Sequence, residues 1–161
     1  MRRLSILLAA LAALPAPAAL AAESEQAPTR AEYVTRLEGV CKPGSEATRR
    51  AVRGMRADVR AERLRVAGAK IARARTIFSR TVEAISRVPR PAGDRATLKR
   101  WFEALGREEA YLGRIATALR AEDVARFQRV SADFIHQGNK ANNVVVSFGF
   151  NYCAFKPSRF Q

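Results

Sequence analysis

Residues 45–88 contain no paired glycine or proline that would announce a turn. Yet a helix running unbroken over 30–88 would be roughly 90 Å long at ~1.5 Å per residue, far more than a domain of this size can bury. A short repeat resolves the conflict. Val59-Arg60-Ala61-Glu62 recurs sixty residues later as Leu119-Arg120-Ala121-Glu122, each time between apolar helical stripes. Both copies read as tight helix–helix corners, with Glu62, or Glu122 and Asp123, at the electropositive start of the next helix.

Four helices follow from these corners. The first, 30–60, opens with the capping box Thr29-x-x-Glu32 and carries the stripe Leu37, Cys41, Ala51 or Val52, Met55, Val59. Pro43 and Gly44 interrupt it, and proline removes a backbone donor and crowds the carbonyl four residues back, so a kink or brief break is expected there. The second helix, 62–88, shows Leu64, Ala67, Ile71, Ala74, Phe78, Val82 and Ile85 at steps of three and four. VPRPAG at 88–93 breaks the chain, and Asp94 is the expected cap of the third helix, with its stripe Leu98, Trp101, Leu105, Leu112, Ile115, Leu119. The fourth, 123–148, presents Val124, Phe127, Phe134, Ala141, Val145 and Phe148. Short connections make neighbours antiparallel, so the expected fold is all-α: an up-down-up-down four-helix bundle built of two hairpins, spanning 30–150.

The N-terminus supplies the compartment. Arg2 and Arg3 precede an apolar stretch at 4–14, and Ala19-Leu20-Ala21 gives a small-x-small site, so residues 1–21 are expected to be a signal peptide cleaved after Ala21. Pro15 and Pro17 cut the apolar run short of the ~20 residues a membrane span needs, and retention as an anchor stays open. Residues 22–29 would form a flexible lead-in, leaving no transmembrane segment in the mature chain. In an oxidising compartment, Cys41 and Cys153 are most simply one disulfide, two free thiols being the alternative. The topology agrees, because the start of the first helix and the end of the last lie at one pole. The bridge would tie the aromatic and basic tail, 151–161, back onto the first helix.

Charge is distributed unevenly. The chain has 29 Lys and Arg against 15 Asp and Glu, and residues 45–90 alone hold 13 basic residues against 4 acidic ones. Arg49, Arg53, Arg56 and Arg60 would share one face of the first helix, and Arg63, Lys70 and Arg73 continue the basic character on the second. Such a strip would attract anionic envelope polymer or lipid headgroups in a salt-dependent way, unless it is simply a solvated face. Export argues against nucleic acid.

The segments RLRVAGAKIARARTIF (63–78), SRVPRPAGDRATLKRWFEALGREEAYLGRIATALRAED (86–123) and HQGNKANNVVVSFGFNYCAFKPSRF (136–160) resemble a family of secreted, arginine-rich helical proteins of soil actinobacteria. The resemblance implies a signal peptide, a helical fold, a cysteine near each end and a Gram-positive envelope as destination. It implies no active site.

Enzymatic signatures are missing. His136 is the single histidine, no nucleophile elbow, zinc-protease, P-loop or dinucleotide motif occurs, and no catalytic residue, metal site or cofactor is expected. Haem is excluded because Met55 and His136 would sit roughly 12 Å apart along the bundle axis at ~1.5 Å per residue. His136, Asn139 and Asn143, bordered by Asn142, recur on one face of the fourth helix. They suggest a polar network reaching toward Glu108, which falls on the third helix's apolar rhythm, or a pocket for a small polar ligand. The expected function is therefore a non-enzymatic exported module that contacts anionic envelope material through its basic hairpin. The alternative is a small-ligand-binding bundle using the patch on the last helix.

Overall fold

The computed structural model describes residues 27–154. The expected signal peptide and the end of the aromatic tail lie outside the described residues. Helices α1 (Arg30–Ala51), α2 (Met55–Arg60), α3 (Leu64–Ser86), α4 (Arg95–Arg120) and α5 (Val124–Val144) form a helical bundle, with 3-10 turns at Ala92–Asp94 and Val146–Phe148. Among the described residues there is no strand.

The capping box opens α1 as expected. Glu32 accepts the Thr29 backbone N–H at 2.8 Å, and the Thr29 hydroxyl accepts from the Glu32 backbone. Those bonds to Thr29 lower the Glu32 pKa. The helix does not break at Pro43 and Gly44; α1 runs through both to Ala51. Gly44 has a packing reason instead. A Cβ there would lie 2.4 Å from the Thr81 hydroxyl of α3, so only glycine lets the two helices approach so closely. The break comes at residues 52–54, where Gly54 takes φ 72°. Val52 closes α1, and Gly54, in a left-handed conformation that L-residues adopt only at a cost, opens α2.

Both repeat corners have one geometry. The Arg63 N–H reaches the Asp58 carbonyl at 2.8 Å and the Glu62 N–H reaches the Val59 carbonyl at 3.1 Å. The second copy matches: Asp123 to Ala118 at 3.0 Å and Glu122 to Leu119 at 3.1 Å. Glu62 and Glu122 each hold φ 58°. These are left-handed helix caps with paired six-to-one and five-to-two hydrogen bonds, carrying glutamate where glycine is usual. The first corner has an additional anchor. Buried Asp58 accepts from Arg63 at 2.7 Å and Lys70 at 2.5 Å, and Lys70 also donates to the Arg53 carbonyl at 2.8 Å. The Lys70 bond, then the Arg63 bond, hold the Asp58 carboxyl below its ordinary pKa.

Asp94 does not cap α4 through its side chain. It forms a two-point pair with Arg30, at 2.9 and 2.5 Å, joining the N-termini of α1 and α4. The Arg30 guanidinium also lies 4.9 Å from the centre of the Phe148 ring. At this pole Cys41 and Cys153 are bridged, with Cα atoms 5.1 Å apart. The Glu38 carboxylate fastens the same junction by accepting the backbone N–H groups of Asn151 at 2.7 Å and Tyr152 at 2.9 Å. Phe150 stacks on Trp101 at 5.2 Å and on Phe148 at 5.4 Å, so the tail's first aromatics close the end of the core.

The interior divides into two clusters. One gathers Tyr33, Leu37, Cys41, Ile85, Leu98, Trp101, Ala141 and Val145 at the disulfide pole; the other gathers Leu64, Ala67, Ile71, Leu112, Ile115 and Leu119 near the corners. Helix α3 packs on α1 and α4, and α4 on α3 and α5, whereas α1 and α5 have no comparable interface. The bundle is thus open along one seam.

Each glutamate corner stores the cost of a left-handed L-residue, about 1 kcal/mol. Glu62→Gly should therefore stabilise the fold by no more than about 0.5 kcal/mol, after allowing for glycine's greater unfolded-state entropy. Glu62→Val should destabilise it by a comparable or larger amount. Urea midpoints at unchanged slope test both.

Candidate functional site

The open seam between α1 and α5 contains a cavity of about 430 Å³. Its walls are the inward faces of α1, α3, α4 and α5, among them Thr48, Phe78, Val82, Leu105, Leu112, Phe127 and Phe134; the Cys41–Cys153 bridge and Tyr152 finish the wall at the disulfide pole. Inward positions 45, 48, 81 and 131 carry small hydroxyl side chains, too short to fill the space that an aliphatic stripe would occupy. The Thr81 hydroxyl is already engaged, donating to the Ile77 carbonyl at 2.9 Å. Arg56 and Ile135 line the cavity while remaining exposed, which places its mouth between α2 and α5.

One acid reaches this apolar space. Glu108 follows Leu105 and precedes Leu112 at helical steps of three and four, so α4 must turn it inward between the two core clusters. It is 2% exposed, and its Oε1 has no hydrogen-bond partner. Burial disfavours the charged form and pushes the carboxyl pKa up to about 7. A buried carboxyl without a donor is strongly unfavourable, and native proteins rarely keep one without use.

The polar patch expected on the last helix is not part of this site. His136, Asn139 and Asn143 are exposed and Asn142 is half-buried. The inward face of α5 is one residue out of phase with them: Gln137, Gly138 and Ala141 are buried, and the Gln137 amide donates to the Ala104 carbonyl at 3.4 Å. The patch therefore forms no network with Glu108. Gln137 was legible, since it falls three residues after Phe134 and four before Ala141 on the helix's apolar stripe, but the more conspicuous series His136, Asn139 and Asn143 drew the reading to the neighbouring face.

The basic strip is also rearranged. The turn at 52–54 holds Arg53 and separates Arg49 on α1 from Arg56 and Arg60 on α2, so the four do not share a single helical face. All four are exposed. Arg63 and Lys70 are committed to Asp58, and Arg73 is exposed on α3. Among the described residues, no group of three or more histidine, cysteine or acidic side chains is placed to hold a metal ion, and no helix is long and apolar enough to cross a membrane.

No family model, curated protein or solved structure matches the chain.

Because the Glu108 pKa rises from about 4.5 to about 7 on folding, the folded state holds more protons than the unfolded state between those values. The stability this residue permits is full at low pH and is lost as pH rises toward 7, by up to about 3 kcal/mol. Glu108→Gln should remove that part of the pH dependence and be the more stable form at pH 8. Urea unfolding of both proteins at pH 5 and pH 8 measures the difference.

Proposed function

We propose that this protein is a non-enzymatic binding module that takes up a small, largely apolar molecule in the cavity between α1 and α5. The observation that supports this most directly is a preformed space of about 430 Å³, walled by aliphatic and aromatic side chains and containing one buried, unpartnered carboxyl. That volume lies within the range of ordinary small-molecule sites, which combine apolar walls with a few polar groups. The disulfide has a direct part in such a role, since it forms wall as well as cross-link. Extracytoplasmic residence fits the disulfide and the N-terminal pattern, and would expose the module to molecules arriving from outside the cell.

Titration with the neutral apolar dye Nile red should give saturable one-to-one binding. Ser131→Trp places a large ring at a half-buried wall position and should weaken binding at least ten-fold while leaving the helical circular dichroism unchanged. Undiminished binding to that variant would place the dye elsewhere and remove the support for a cavity ligand.

A surface role toward anionic envelope polymer or lipid headgroups has separate support. Arg49, Arg53, Arg56 and Arg60 are exposed, and no acidic partner engages any of them among the described residues. The contact would be electrostatic and would weaken with salt. Replacing all four with glutamine should lower the salt concentration that elutes the protein from cell-envelope fractions; elution at an unchanged concentration would refute the role.

A further inference from the structure

We infer that the cavity selects apolar amines, with Glu108 as the group that receives the ligand's ammonium. The inference rests on the binding role proposed above and adds the chemical class of the ligand. Glu108 lies in the wall of a cavity of about 430 Å³, is 2% exposed, and offers an oxygen with no donor near it. Among the described residues no side chain donates to that Oε1. Helices α1, α3 and α5 contribute aliphatic, aromatic and small hydroxyl groups to the lining but no charged one; α2 contributes Arg56 and the tail contributes the Tyr152 phenol. Arg56 is exposed at the mouth, where its charge is solvated and screened over about 8–10 Å in physiological salt.

A ligand completes the site best if it supplies what the protein withholds. An isolated carboxylate in an apolar site is unfavourable, and a cation with N–H donors compensates it more fully than a neutral hydroxyl does. An aliphatic or aromatic amine would bury its hydrocarbon against Phe78, Phe127, Phe134 and Leu112 and direct its ammonium at Glu108. No bond is made or broken. At neutral pH the amine enters as ammonium, and any proton on Glu108 is released to solvent. An alcohol of the same skeleton can donate to the carboxylate or accept from the acid, so its binding needs no proton release. An alkyl carboxylate would place a second negative charge beside Glu108 and be rejected.

The test uses n-octylamine, 1-octanol and octanoate as competitors of Nile red on the disulfide-intact protein. The amine should displace the dye at least ten-fold more tightly than the alcohol at pH 8, and octanoate should compete worst. Amine binding should weaken about ten-fold from pH 8 to pH 6, as Glu108 becomes protonated, while alcohol binding stays nearly level. Glu108→Gln should lose the preference for the amine over the alcohol, and an unchanged helical circular dichroism spectrum reports that it is folded. If amine and alcohol compete equally in both proteins, the cavity remains a ligand site and the amine assignment falls. Best competition by octanoate would transfer recognition to Arg56 and equally overturn it. Failure of all three to displace the dye, with dye binding unaffected by Ser131→Trp, would overturn the cavity role itself.

Discussion

The fold depends on a covalent tie where a packed interface is missing. In a closed four-helix bundle, the first and last helices bury apolar stripes on each other, and that contact completes the core. Here α1 and α5 lack such an interface, and the Cys41–Cys153 bridge joins the two sides of the seam. It closes a loop of 112 residues, long enough for cross-linking to restrict the unfolded chain substantially, on the order of 4 kcal/mol in the chain-entropy account. Glu38 reinforces the tie by accepting two backbone N–H groups of the tail. The seam can stay open because the cross-link supplies closure without filling the interior. Stability and an accessible cavity, usually opposed, are thus provided by different elements.

Much of this was legible in the sequence because it is local. The corners at Glu62 and Glu122 were visible as a four-residue repeat, and their shared left-handed geometry explains why the same letters recur. The Thr29–Glu32 box was legible for the same reason: capping is satisfied within one turn. The pairing of Cys41 with Cys153 needed only a compartment and a topology. What escaped the sequence depends on neighbours. Gly44 reads as a helix breaker until Thr81 of another helix is placed against it. Asp94 reads as a cap until Arg30, 64 positions earlier, claims both its oxygens.

The site was half legible. Glu108 stood out as an acid on an apolar rhythm, and the structure keeps it inward. Its assumed partners were wrong because His136, Asn139 and Asn143 lie on the face next to the apolar stripe Phe134, Ala141, Val145, which is the face that turns inward and carries Gln137 with it. The cavity had a faint signal in the hydroxyl residues at inward positions of α1, α3 and α5. A single serine or threonine on an inward face is common, and only their convergence from several helices on one level opens a space. That convergence is a tertiary fact.

Placement of charge separates the candidate roles of surface and interior. Among the described residues nearly all of the basic side chains face water, where ions screen them, whereas Glu108 is buried, where screening is weak. The arginines can therefore govern which surfaces the protein approaches without determining what enters it. A leucine at position 108 would continue the stripe of Leu105 and Leu112 and allow the two apolar clusters to merge, at no desolvation cost. A structural role for the glutamate would require a partner inside the bundle, as Asp58 has in Lys70 and Asp94 has in Arg30. Among the described residues the Glu108 Oε1 has no such partner, so a purely structural role would leave that carboxyl uncompensated, which a bound donor would remedy.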